Sequence, residues 1–471
     1  MSGRAPELLR GDLARLVGPD RIVDDAARIA RASRDTWVVS VWRSLQARPP
    51  TPAACVVRPR ATAEVAKVLA YASREHVAVV PFGAGSGVCG AVLAGADAIV
   101  VDLGDMRALR AIDGHNLLAT AEAGLLGSEF EAQLNAAGYS MGHFPQSIAL
   151  STVGGWVATR AAGQFSTKYG NIEDMLVAFE AVLASGTVIR TRAVPRASTG
   201  PDLRHLFLGS EGTTGILTEV TFEIHPLAPA TTQQAIAFPS MRAGLETLRR
   251  IVRDGWRPAV LRLYDEIESG RAFAGAAGAT ECLLLVLCEG PHALVAVEQA
   301  AVEAIAGECG GRVVGPAPVE SWLHHRNAVP GFETFLKQGM IVDTIEVATA
   351  WDKIDALFAG VLAAMRAVPG LIVASGHSSH TYPTGTNIYF TFAAKPETPE
   401  DLEGLYFQIW NAAMEATLAA GGTISHHHGI GRVRREWLPK ELGGAYEALV
   451  TLQRALDPVG IMNPGALLMS R

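Results

Sequence analysis

The sequence predicts an α+β protein of two domains, and three observations lead there. The chain has 471 residues, more than a single hydrophobic core usually serves. Its first half alternates short β-branched runs with helical stripes and glycine-rich loops. Beyond Pro226 the character changes to long helices separated by apolar strands.

Composition narrows the function classes. Apolar residues make up 49 % and charged residues 18 %, which suits buried globular domains rather than disorder. A net charge of -7 gives no reason to expect a nucleic-acid partner. No run of about 18 apolar residues exists to span a membrane. The first residues lack the apolar core of a signal peptide. Five scattered cysteines fit reduced thiols and a cytoplasmic location; Cys89 reads as a small buried residue.

The elements follow in order. "CVVRP" (55–59) reads as a strand, and the next helix, capped by Thr62, carries Val65, Val68, Leu69 and Ala72 on one face. A strand at 77–82 closes a βαβ unit. Strands at 98–103 and 116–124 precede a helix with a capping box from Ser128 to Glu131. A further helix starts at "STVGGW", capped by Ser151. A hairpin turns near Ser185-Gly186, and Ile216, Val220, Phe222 and Ile224 alternate along a strand. The boundaries expected are 1–226, 227–432 and a C-terminal return at 433–471, the last holding one helix and a turn.

Three segments carry chemistry. "PFGAGSGVCGAV" (81–92) follows a strand, and its glycines let backbone N–H groups curve around an anion. No Lys-Ser/Thr follows, so it is not a Walker loop, and it leads to a strand, so the dinucleotide fingerprint fails. Ser151, Thr152, Gly154 and Gly155 stand at a helix start, where free N–H groups and the dipole favour an anion. "GSEGTTGIL" (209–217) permits close approach of a flat ring or a phosphate. Turns and caps account for each singly, but less well for three together.

The other motif is "GGTISHHHGIGR" (421–432). Three adjacent histidines serve either a metal or proton chemistry around a ligand. In an extended strand His426 and His428 would face one side and His427 the other, which supplies tetrahedral zinc poorly.

"PFGAGSG", "STVGGWVATRAAG…YGNIED", "GSEGTTGI" and "DPVGIMNPG", in this order, resemble the flavin signature of the vanillyl-alcohol oxidase/p-cresol methylhydroxylase family. The resemblance implies a two-subdomain FAD-binding domain with an α+β cap domain over the substrate. It places FAD contacts at Pro81, Gly83, Ala84, Gly85, Ser86, Gly87 and Val88, with the pyrophosphate on 83–88. It adds Pro145, Ser147, Ser151, Thr152, Gly154, Gly155, Thr159 and Ala161, then Glu211, Gly212, Gly215, Ile216 and Asn463. The 81–92 loop has no histidine for a covalent flavin link, so FAD is expected to be noncovalent.

Within that family, "GHFPQS", "SHTYPTGTNIYFTF" and the histidine triplet resemble the alkylglycerone-phosphate synthases. That implies exchange of the acyl group of acyl-dihydroxyacetone phosphate for a fatty alcohol, through an adduct at the flavin N5. Tyr389 would take a proton from the substrate, His426, His427 and His428 would line the site, and Arg262 would grip an anionic group. His380 and Tyr382 would support them. The alternatives are an Arg262 ion pair with Asp265 or Glu266, and a core role for Tyr389. Metal-using relatives that oxidise D-2-hydroxy acids carry Glu-His where this chain has His427-His428, and histidines where Tyr382 and Tyr389 stand, so no metal is expected. Oxidation of an alcohol or 2-hydroxy acid by hydride transfer to FAD is the alternative activity. The expected partners are a small, lipid-like substrate and a second copy of the chain, with peripheral membrane contact left open.

Overall fold

The computed structural model describes residues 5–329 and 331–469; the signal-peptide expectation falls partly on residues 1–4, outside them. Strands β1 (Ile22–Val23), β2 (Cys55–Val57), β3 (Val79–Phe82) and β4 (Ile99–Asp102) form a sheet in the order β1-β2-β4-β3. β2 and β3 both run parallel to β4, and helix Thr62–Glu75 makes the crossover, burying Val65, Val68, Leu69 and Ala72. Ala61, not Thr62, is its N-cap, because the Thr62 hydroxyl donates to Glu180 across the domain.

Next come β5 (Leu109–Asp113), β6 (Leu118–Glu122), β7 (Tyr139–Ser140), β8 (Leu176–Val182), β9 (Val188–Arg190), β10 (Ile216–Glu223) and β11 (His225–Pro226). β5-β6-β10-β8-β9 is an antiparallel sheet, and β7 pairs with β11. The first two sheets share one core, centred on residues such as Phe130, Phe179 and Phe222. Two caps differ from expectation for one reason, long-range backbone bonding. The N–H groups of Gly127 and Ser128 bond the carbonyls of Ser151 and Ile148. Helix Gly127–Ala136 therefore starts two residues early, with Leu126 as its N-cap, and Glu131 accepts from Ser140 and Met141 instead of closing a capping box. At helix Val153–Thr159 the cap is Thr152, accepting from the Gly155 N–H; the Ser151 hydroxyl is engaged by Ser147 and Trp156.

The remaining strands are β12 (Ala230–Phe238), β13 (Val260–Tyr264), β14 (Cys282–Gly290), β15 (Arg312–Gly315), β16 (Ile341–Ala350), β17 (Leu371–Ser378), β18 (Thr381–Tyr382) and β19 (Gly385–Ala394). They make one antiparallel sheet, β15-β12-β14-β13-β17-β19-β16, with β18 folded onto β19. Helices Met241–Arg253, His292–Glu308, Ile354–Arg366 and Leu402–Ala419 contribute to its core. Helix Val38–Leu45, early in the chain, buries Val38, Val39 and Trp42 in this later core, and the Trp37 indole donates to Tyr406 at 3.0 Å.

The chain then returns. Two helices, Leu438–Leu442 and Gly444–Leu456, stand where one was expected, divided at Gly443. The Val79 N–H reaches the Ile461 carbonyl at 2.8 Å, and the Asn463 N–H reaches the Val79 carbonyl at 2.7 Å. This return runs beside β3 and sets Asn463 against Ala91 of the glycine loop. Among the described residues no helix is long and apolar enough to cross a membrane.

Candidate active site

A cavity of about 490 Å³ opens where the glycine loop, the 145–161 segment and the 210–216 loop meet the large sheet. Every residue assigned above to FAD contact borders it, as do Arg262, Tyr389, His427 and His428. His426 borders an adjoining cavity instead.

The glycine loop fits a phosphate-bearing cofactor on three observations. A Cβ on Gly83 would fall 2.5 Å from the Thr152 hydroxyl, and Gly85 has φ +68° with Phe82 and Arg31 against the space a side chain would need. Thr36 takes up the carbonyls of Ser86 and Gly87. Among the described residues no acceptor engages the N–H groups of residues 83–88, so these donors are left for a ligand. Asn463 Nδ2 is held by the carbonyls of Ala91 and Glu211, whereas its Oδ1 is buried without a partner, an arrangement that calls for a ligand donor.

One acid of this region, Asp35, escaped the sequence reading, and a second, Glu211, was expected only as an FAD contact. Asp35 borders the cavity at 1 % exposure, and burial pushes its carboxyl up to about 7 against backbone N–H donors such as Trp37. Burial likewise pushes Glu211 up to about 7; it accepts from the N–H groups of Ile430 (2.5 Å) and Gly431 (2.8 Å). Glu211 therefore ties the flavin-side loop to the histidine loop.

The opposite wall stands on the large sheet. Glu346 on β16 pairs in register with Tyr389 on β19. Its carboxylate accepts from the Ser425 hydroxyl (2.9 Å), the His427 N–H (3.1 Å) and the His428 N–H (2.7 Å), and it pairs with Arg434; both ends of that pair are fully buried. Burial alone would raise Glu346, but Arg434 and the adjacent histidines hold it well below the usual carboxylate range. With this clamp the triplet is not extended, and the alternation an extended strand would give does not arise. Two successive N–H groups converge on one oxygen, so the rings cluster, with centroids 5.0 Å apart for His426–His427 and 4.5 Å for His427–His428.

Burial keeps the imidazoles uncharged near neutrality: His426 is pushed down to about 4, and His427 and His428 also lie below their usual value. His426 Nδ1 lies 2.8 Å from His427 Nδ1, and His426 Nε2 lies 2.7 Å from the Tyr382 hydroxyl. His380 stacks on His426 at 4.9 Å and bonds Ser166 through Nδ1. One nitrogen from each of His380, His426 and His427 lies within 4.8 Å of the others. No carboxylate belongs to that group.

Tyr389 accepts from the Thr344 hydroxyl at 3.0 Å. His377 stacks on its ring at 4.9 Å, and His428 meets it edge-on at 5.5 Å. Burial pushes its phenol well above the ordinary value, so it is protonated at rest. Arg262 bonds the Tyr264 hydroxyl (2.5 Å) and His377 Nε2 (2.6 Å), not Asp265 or Glu266. Asp265 instead caps helix Glu266–Ala272 and accepts from the Gly376 N–H. Since a guanidinium only donates, His377 Nε2 accepts and Nδ1 carries the proton toward Glu268 at 2.7 Å. Glu268 and His377 thus orient Arg262 toward the cavity, another arrangement no local motif announced.

A cradle of free N–H groups facing a wall of neutral imidazoles, a phenol and a guanidinium defines a flavin-dependent enzyme. The chain belongs to the FAD-linked oxidase family: residues 53–192 match the "FAD binding domain" and residues 228–467 match "FAD linked oxidases, C-terminal domain". It is 34 % identical to "Uncharacterized FAD-linked oxidoreductase YgcU" of Escherichia coli (strain K12), across 97 % of each chain. The solved alkyldihydroxyacetonephosphate synthase superposes with a TM-score of 0.82 at 26 % identity, covering 98 % of this chain and 85 % of that one. p-Cresol methylhydroxylase superposes at 0.76 with 16 % identity, covering 98 % and 97 %, a likeness of fold alone. The fold is that of the vanillyl-alcohol oxidase/p-cresol methylhydroxylase superfamily, and the cofactor is FAD.

Proposed function

We propose that this enzyme works as a transferase of the alkylglycerone-phosphate synthase kind, exchanging the acyl group of acyl-dihydroxyacetone phosphate for a fatty alcohol with no net oxidation. The observation that carries this reading is Arg262, which borders the cavity beside the phenol–imidazole wall and has no carboxylate partner among the described residues. Tyr264 and His377 hold its Nε and Nη2, and the charge of its guanidinium suits a substrate phosphate. The rest of the cavity supports a long apolar chain, because Val38, Val41, Phe332 and Leu336 line it and the exposed Leu150 and Val329 rim it.

Bound noncovalently, FAD supplies the electron-sink chemistry that side chains lack. Tyr389 and the histidines then handle the substrate proton as one unit. The phenol accepts a proton only as its own passes to a neutral imidazole, since burial disfavours a lone phenolate. The exposed Leu150 and Val329 suit an enzyme that meets its substrate at a membrane surface, and a cytoplasmic homodimer is part of the same proposal.

A second reading, oxidation of an alcohol or 2-hydroxy acid, is favoured by the neutral imidazoles, which suit a base for hydride transfer. Incubation with acyl-dihydroxyacetone phosphate and isotopically labelled hexadecanol separates the two. Labelled ether product supports the transferase; none, together with oxidation of a 2-hydroxy acid, supports the second reading.

A further inference from the structure

The histidine loop separates two cavities. His427 borders both, and His426 borders only the second, a space of about 480 Å³ shared with Arg160, Asn171, Tyr382 and Glu441. That second space reaches solvent at Arg160, whose side chain is 55 % exposed. Between them lies an unbroken hydrogen-bonded row: His427 Nδ1 to His426 Nδ1 at 2.8 Å, His426 Nε2 to the Tyr382 hydroxyl at 2.7 Å, and Asn171 Nδ2 to the same hydroxyl at 2.8 Å. Asn171 donates, so Tyr382 keeps one lone pair and its own proton for exchange with His426 or solvent.

We propose that His427, His426 and Tyr382 form a proton conduit from the reaction cavity to the second, solvent-connected cavity. The proposal rests on the reading that the reaction releases a substrate proton toward the triplet. One proton arrives at the His427 nitrogen that His426 does not engage, and the His427 Nδ1 proton crosses to His426 Nδ1. The His426 Nε2 proton moves to the Tyr382 oxygen, and the Tyr382 proton leaves to solvent. One proton enters and one leaves, so no charge stays in the wall. Reversal of the row then requires each imidazole to change tautomer, which neutral rings do without an ion pair to break. Stacking of His380 over His426 and the bond of His380 to Ser166 hold the His426 ring in place between its partners. His428, anchored near Glu346 at 3.4 Å, stands outside the row.

The test is magnetic resonance on the FAD-loaded protein labelled with ¹⁵N-histidine. His426 and His427 should share one Nδ1-bound proton, and its solvent exchange should slow on the order of tenfold in Tyr382→Phe, with FAD retained, and likewise in His426→Gln at the remaining His427 proton. Exchange unchanged by both substitutions would overturn the conduit, as would a stoichiometric metal ion found on these histidines. A second arm uses turnover with acyl-dihydroxyacetone phosphate and hexadecanol. Tyr382→Phe should lower kcat on the order of tenfold at constant KM, and added imidazole should restore it, which a merely structural role would not allow. Absence of turnover in the unsubstituted enzyme counts against the proposed substrates, while the exchange measurement still decides the conduit.

Discussion

Glu346 stands directly across from Tyr389 in the β16–β19 ladder, and its carboxylate also holds the N–H groups of His427 and His428. One residue therefore links the two sides: its backbone lies across from the strand that presents the phenol, and its carboxylate holds the loop that presents the imidazoles. Arg434 neutralises it from within the core, stacked on Trp410 at 4.9 Å.

Arg434→Met should therefore be costly. The substitution leaves Glu346 as an unpaired buried charge, a loss of roughly 3–5 kcal/mol for such pairs. Urea denaturation of the FAD-loaded protein measures it. The double variant Arg434→Met/Glu346→Gln should recover part of the stability without recovering activity, because the histidine loop has lost its anionic anchor.

Asp35 and Glu211 should each supply a part of stability that falls as pH rises from about 4 toward 7, opposed by the buried histidines, whose lowered values make their part rise. Asp35 and Glu211 have folded values raised to about 7 from 3.8 and 4.5. Their contribution is fully present below the unfolded values and is lost as pH climbs through the folded ones. Glu346, held low, has the opposite sign, and its contribution fades only in strong acid. Asp35→Asn should remove the falling part that Asp35 supplies, so that stability changes more positively with pH between 4 and 7 than in the unsubstituted protein, checked by thermal unfolding across that range. An unchanged slope would show that Asp35 is ionised in the folded protein.

Gly85→Asp should abolish FAD retention while leaving most of the fold. The residue would be forced to φ +68° against Phe82, with a negative charge placed among free N–H donors. Absorbance near ~450 nm, a property of the chromophore, reports the loss. Acid precipitation of the unsubstituted protein should release its FAD to the supernatant.

Tyr389→Phe should lower turnover by about 10²–10⁴-fold with FAD still bound. His428→Ala should cost a comparable factor. The double variant should cost much less than the product of the two, since residues acting as one unit are not additive. Multiplicative losses would separate the phenol from the imidazoles.

Much of the cofactor side was legible in the sequence. Gly83 and Gly85 exist because a Cβ has no room there, and such constraints leave a local trace that spacing and context reveal. The substrate side was legible only in its residue types. The triplet announced itself, but its curled geometry depends on Glu346, about 80 positions upstream on an ordinary-looking strand. Asp35, the Glu268–His377–Arg262 row and Asn171 are single residues whose importance arises only from long-range pairing. The misplaced caps at Thr62, Ser128 and Ser151 have the same origin. Local patterns name the donor a helix start prefers, while distant carbonyls and carboxylates decide which donor is free.

The most direct measurement is anaerobic mixing of the FAD-loaded enzyme with acyl-dihydroxyacetone phosphate, then hexadecanol, followed in the flavin spectrum with product analysis at the end. The account predicts a transient spectral change on the first addition, return to the oxidised spectrum on the second, and one ether product per acyl group released. Lasting bleaching to reduced flavin, with an oxidised substrate and no ether product, would contradict it.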